Sequence, residues 1–218
     1  MRRLTLAIAF AASWIVPTPG FPQAQPSPSR LFAPEDLGLL DSRDRETWQK
    51  PDLVMDALGI ADGAAVADLG SGSGWFTVRL ARRVGPNGMV YAVNVQRPMI
   101  EATERRIERE GLKNVQTILG TLDDPLLPES ALDAVMILDT YRAIDNPVAL
   151  LRSLTRALKP QGRIGIVDYK KKIGGGPGPS LRERIDPDAV VRDVRTAGLK
   201  FIRQETFLPY QFFVIVGK

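Results

Sequence analysis

The sequence has neither cysteine nor histidine in its 218 residues. The first absence excludes disulfides and thiolate metal sites. The second removes the commonest metal ligand and the commonest general base near neutral pH, so no metal centre is expected. A large excess of one charge is also missing, because 29 Lys and Arg stand against 25 Asp and Glu, a net of +4. No basic run with interleaved aromatics occurs apart from "YKKK" at 169–172. A nucleic-acid partner is therefore not expected. What remains is ordinary for a globular protein, with 44% hydrophobic and 25% charged residues.

Long apolar runs are scarce as well. Leu4–Val16 is uncharged and mostly apolar, but at thirteen residues it is too short to span a bilayer comfortably. It follows the basic start Met1-Arg2-Arg3 and precedes the proline-rich "PTPGFPQAQPSPS". That layout is the one a secretory signal peptide has. The chain is read as a signal peptide over 1–24, a Pro/Ser-rich linker over 25–40 and a folded domain over 41–218. The mature protein is expected to be periplasmic or secreted, with no stable membrane span; retention in the cytoplasm is the alternative. Removal of residues 1–24 takes two arginines and no acid, which lowers the net charge from +4 to +2.

From residue 41 the pattern is regular. "DSRDRETWQKPDLVMDALGI" puts Leu53, Val54, Ala57 and Leu58 at helical spacing, with Pro51 at the start and Gly59 at the end. Apolar segments then alternate with amphipathic ones. "AAVADLG", "MVYAVNV", "NVQTIL", "ALDAVMIL" and "RIGIVDY" read as strands. "WFTVRLARRV", "PMIEATERRIEREG", "NPVALLRSLTRAL" and "DPDAVVRDVRTAG" read as helices, the third ended by "KPQG". "LKFIRQETF" and "QFFVIVGK" are two closing strands joined so tightly that they must pair antiparallel. The expectation is an α/β fold with a Rossmann-like, seven-stranded, mostly parallel sheet, an antiparallel last strand and helices on both faces.

The stretch "VADLGSGSGWFT" ends the first strand in an acid and breaks into glycines. In an open α/β sheet such a loop lies at the carboxyl edge, where ligands bind. The dinucleotide pattern G-x-G-x-x-G fails from both Gly70 and Gly72, since Trp75 and Thr77 occupy its last position. The phosphate loop G-K-[ST] is missing too. An acid just before the turn suits a cationic cofactor better than a pyrophosphate. In "VADLGSGSG", in the order of elements over about 47–218, and in the "LKPQGRIGIVDY" block, the chain resembles the class I S-adenosylmethionine-dependent methyltransferases.

The resemblance implies S-adenosyl-L-methionine as cofactor. It implies Asp68 near the methionine amino group, and Gly70, Ser71, Gly72 and Gly74 beneath the methionine and ribose. At the end of the second strand the family carries an acid for the ribose hydroxyls; this sequence has Asn94. Asn is neutral and offers one acceptor oxygen and an NH2 group, so a charge-assisted contact is lost. Val95 and Leu122 are expected to flank the adenine, and Asp123, chosen over the adjacent Asp124, to meet its amino group; the alternative for either acid is a solvated turn residue before Pro125.

On the acceptor side, "ILDTYRAIDNP" follows the fourth strand without a histidine. Asp139 and Tyr141 are the candidate catalytic groups, with Asp139 alternatively contacting the cofactor or the loop backbone and Tyr141 either lining the acceptor pocket or packing. Trp48 is either part of the pocket wall or a core anchor. The stretch 170–180, "KKKIGGGPGPS", is either a lid or a plain surface loop. N-P-P-Y and cysteines are absent, against DNA-amino and arsenite methylation. The reading is a methyltransferase for a small-molecule acceptor. Its alternative is an exported binding protein that kept the fold and lost turnover. The failed dinucleotide pattern argues against an NAD oxidoreductase. Nothing in the sequence fixes an oligomeric state.

Overall fold

The computed structural model describes residues 31–42, 44–171 and 176–218. The expected signal peptide lies outside the described residues. Seven strands form one sheet: β1 Ala65–Leu69, β2 Met89–Asn94, β3 Val115–Leu119, β4 Leu132–Leu138, β5 Leu158–Tyr169, β6 Lys200–Glu205 and β7 Gln211–Gly217. Among the described residues six α-helices accompany them: α1 Arg45–Gln49, α2 Pro51–Leu58, α3 Trp75–Val84, α4 Arg97–Arg109, α5 Pro147–Ala157 and α6 Pro187–Thr196. The strand order is β3-β2-β1-β4-β5-β7-β6. β1 pairs parallel with both β2 and β4, while β7 runs antiparallel to β5 and to β6. The Rossmann-like sheet expected from the alternation of elements is therefore present, with its antiparallel strand inserted between β5 and β6.

The side-chain alternation of each strand feeds two cores. On one face Ala67, Val135, Ile137 and Ile164 meet Leu150, Leu151 and Leu154 of α5 and Val190 and Val194 of α6. On the other, Val66, Met136, Phe213 and Ile215 meet Val54, Met55 and Leu58 of α2 and Phe76, Leu80 and Val84 of α3. Full burial of one such aliphatic side chain contributes about 1.5–3 kcal/mol. The helices start where local chemistry supplies a start. Asn146 accepts the Ala149 N–H ahead of α5, and Asp186 accepts the Asp188 N–H ahead of α6.

Three segments depart from the sequence reading. Leu53 points outward, and Met55 takes its place beside Val54 and Leu58 on the buried side of α2. "KPQG" does not close α5 as a turn. It belongs to β5, which bulges over Lys159–Gly162 as its register shifts against β4. Proline is tolerated at a bulge because no ladder N–H is required there, and Lys159 is tied down by Asp133 at 2.7 Å. Most consequential for the site, residues counted with the linker form a 3-10 helix over Pro34–Asp41 that lies against the carboxyl edge of the sheet.

Candidate functional site

β1 and β4 are neighbours at the centre of the sheet, where the chain changes its direction of progress, and the loops that follow them diverge there into a crevice. A cavity of about 1080 Å³ opens at that edge. It is large enough for a cofactor and a small second ligand together. Asp68 stands at its floor, followed by the glycine loop. Gly70, Gly72 and Gly74 all have positive φ, at 82°, 56° and 77°, which glycine adopts without strain. At Gly70 a Cβ would lie 2.2 Å from Thr140 Oγ1 of the β4 loop, so this backbone approach admits no side chain. Gly74 then caps α3.

Asp68 is 2% exposed and accepts a 2.6 Å hydrogen bond from the Thr77 hydroxyl. Burial pushes its carboxyl up to about 6, against the lowering effects of that bond and of the Arg45 charge. At the end of β2, Asn94 Oδ1 accepts the Gln96 N–H at 3.0 Å, which turns the chain into α4. Asn94, Val95 and Leu122 line the cavity, together with Val93, Met99 and Pro125.

The other half of the cavity is built around Asp139, whose backbone is left-handed at φ 57°. Non-glycine residues rarely hold this conformation, and it concentrates at functional sites. Here it is held by three contacts. Gln211 of β7 donates to Asp139 Oδ1, Gln49 of α1 donates to Oδ2 at 3.3 Å, and Arg45 Nη2 lies 3.6 Å from Oδ2. Burial raises the Asp139 carboxyl, and the charges of Arg45 and Arg142 oppose the rise. Asp168, fully buried at the end of β5, accepts the Arg142 N–H at 3.1 Å. Burial and the neighbouring Asp139 push Asp168 up to about 6. Trp48 and Tyr169 complete this wall with ring centroids 6.2 Å apart. The Trp48 indole N–H is buried without a hydrogen-bond partner among the described residues.

The cavity thus gathers Asp68, Gly70, Ser71, Gly72, Asn94, Val95, Leu122, Asp139 and Trp48. Three sequence candidates lie outside it. Gly74 acts as the helix cap just behind the loop. Asp123 is exposed to solvent, while the adjacent Asp124 is occupied with Leu126 N–H and Ser153. Tyr141 is 2% exposed and turns into the core, where its hydroxyl donates to Asp193 of α6 at 3.1 Å. It packs rather than lines the pocket. Of 170–180, residues 172–175 lie outside the described set. Lys171 and residues 177–179 line the cavity, and buried Arg184 secures them by donating to the carbonyls of Pro179, Lys170 and Pro177.

The strand order, the antiparallel β7 and a glycine loop at the switch point define a class: a Rossmann-like methyltransferase fold. The model of the methyltransferase domain family matches residues 60–190, and the chain belongs to that family. It is 32% identical over 130 residues to nocamycin O-methyltransferase of Saccharothrix syringae, covering 60% of this chain and 44% of that protein. It is 29% identical over 136 residues to the ubiquinone/menaquinone biosynthesis C-methyltransferase of Pasteurella multocida, covering 62% and 50%. The chain spans about half the length of these curated relatives. The crystal structure of a SAM-dependent methyltransferase from Aquifex aeolicus superposes with a TM-score of 0.82 at 28% identity, covering 85% of this chain and 98% of that one.

The cofactor implied is S-adenosylmethionine, and the cavity fits it. Carboxylates at Asp68 and Asp139 face a cavity that would receive an ammonium and a sulfonium. Asn94 brings a neutral amide, able both to donate and to accept, to the cavity lining, and Val95, Leu122 and Pro125 add apolar surface suited to a purine.

Proposed function

We propose that the protein transfers a methyl group from S-adenosylmethionine to a small-molecule acceptor held between Trp48, Asp139 and Tyr169. The observation that carries this reading is the single cavity running from the glycine loop to Asp139. When bound, S-adenosylmethionine supplies an electrophilic methyl group on a positively charged sulfur. Asp68 and the glycine loop hold the amino-acid end, and Asn94 holds the ribose through neutral hydrogen bonds. Trp48 and Tyr169 exclude water and align the acceptor, and such alignment accounts for much of the acceleration in a displacement. An acceptor that loses a proton delivers it to Asp139, a buried carboxylate on that side of the cavity, in a chain without histidine. The enzymatic reading is tested by calorimetry with S-adenosylmethionine and S-adenosylhomocysteine, followed by methyl-transfer assays on phenols, quinones, acids and amines. Absence of binding by either compound counts against it.

Asn94 and the missing histidines favour a second reading, a binding protein that retains the cofactor without turnover. Cofactor binding with no transfer to any acceptor class supports that one. The basic start and apolar run of residues 1–24 support export of either protein. Mass spectrometry of the native protein is expected to find a terminus near residue 25, and an intact Met1 in the cytosolic fraction refutes export.

A further inference from the structure

Arg45 is a long cation buried to 8% exposure, and it serves three elements at once. Its Nη1 donates to the Leu40 carbonyl at 2.5 Å, its Nε donates to Gln49, and its Nη2 lies 3.6 Å from Asp139 Oδ2. Its guanidinium also lies 4.4 Å from the centre of the Trp75 ring, which Arg79 stacks at 3.5 Å. Leu40 belongs to the 3-10 helix over Pro34–Asp41, which lies on the glycine loop. There a Cβ on Gly72 would meet Leu40 Cδ1 at 3.0 Å. This strap is attached mainly by polar ties. Asp41 accepts from Ser73 at 2.8 Å and from both terminal nitrogens of Arg106, and Gln96 donates to the Phe32 carbonyl at 3.2 Å. Its residues are half-buried or exposed where their burial is described. Segments with so few buried apolar contacts open at low cost.

We propose that Arg45 is a positioning residue that couples the strap over the glycine loop to the acceptor-side carboxylate, setting Asp139 in place when the strap closes on bound cofactor. The guanidinium is suited to this because its planar fork addresses a carbonyl and a carboxylate together. Asp139 needs such support, since its left-handed backbone and buried charge are both unfavourable when left alone. Gln49 transmits the same constraint. It accepts from Arg45 and donates both to Asp139 and, at 3.3 Å, to Gln211. Opening the strap removes the Leu40 carbonyl from Arg45 and loosens the whole set.

The inference rests on the proposed function, and its test separates the two. Hydrogen exchange is followed in the full chain with and without saturating S-adenosylhomocysteine, and affinity is measured by calorimetry. In the wild type, amide exchange is expected to slow at least roughly fivefold both at 34–41 and at 139–143. In Arg45→Met the strap is expected to remain protected while the response at 139–143 disappears, and Arg45→Lys is expected to restore part of it. Asp41→Asn releases the strap without touching Asp139, and it is expected to weaken both responses and raise the dissociation constant. That variant carries the test should Arg45→Met fail to fold. A wild type that does not bind S-adenosylhomocysteine overturns the proposed function and this inference with it. Binding accompanied by an unchanged response at 139–143 in Arg45→Met, or in Asp41→Asn, overturns the inference alone.

Discussion

Asp68 is held where it is costly for stability and where, on the proposed reading, it meets the ligand's ammonium. Its carboxyl is raised to about 6 by burial, so the folded state holds its proton more tightly than the unfolded chain does. Stability therefore falls as pH rises from about 4 to about 6, and above that the domain carries a cost on the order of 3 kcal/mol. Asp168, also raised to about 6, acts in the same direction. A ligand ammonium placed beside Asp68 reverses the preference, because it favours the ionised carboxylate. Affinity for S-adenosylhomocysteine is expected to rise several-fold between pH 5 and pH 7.5, as read by calorimetry. Asp68→Asn is expected to raise the melting temperature while weakening binding at least roughly tenfold, since a buried charge and its attraction are removed together. Asn94 poses the opposite case. Asn94→Asp keeps the acceptor for the Gln96 N–H and adds a charged acceptor for the ribose, so binding is expected to tighten several-fold. An unchanged dissociation constant in a folded variant removes Asn94 from the ribose contact.

At the scale of elements, the glycine loop and the β4 loop are fitted to one another. Gly70→Ala places a methyl 2.2 Å from Thr140 Oγ1 at a φ of 82°, so both the loop and its neighbour must shift. The expected outcome is a loss of roughly 1–3 kcal/mol in denaturant unfolding together with loss of cofactor binding. The sheet and most helices were legible in the sequence because their signals are local. β4 and β7 read as near-continuous apolar runs, as strands covered on both faces must. The glycine loop was legible for the same reason. The strap was not: "PEDLGLLD" has no apolar stripe, and its place is fixed by Asp41 meeting Arg106, 65 positions away. The Gln49, Asp139 and Gln211 network is equally silent, because polar residues up to 162 positions apart share no period. Tyr141 was placed on the acceptor side as one of two options because spacing shows a turn but not which way its ring faces. The apolar surface between α5 and α6 claims it.

For the molecule as a whole, a ligand that fills the cavity links to global unfolding, because loops from both halves of the sheet line it. S-adenosylhomocysteine at a hundred times its dissociation constant is expected to add about 2.7 kcal/mol. In a domain of this size that raises the melting temperature by roughly 5–10 °C. Scanning fluorimetry at increasing ligand checks it, and a melting point independent of concentration contradicts it. The position of β7 between β5 and β6 has a consequence for how the chain is made. During synthesis, residues 211–217 leave the ribosome after both of their partners, so β5 waits with one edge bare and β6 waits with no neighbour. β2, β3, β4 and β5 can each pair with a strand already emerged. Closure of that half of the sheet is thus a single late event that depends on seven residues, and until they arrive the nascent domain is an unfinished template with an open edge.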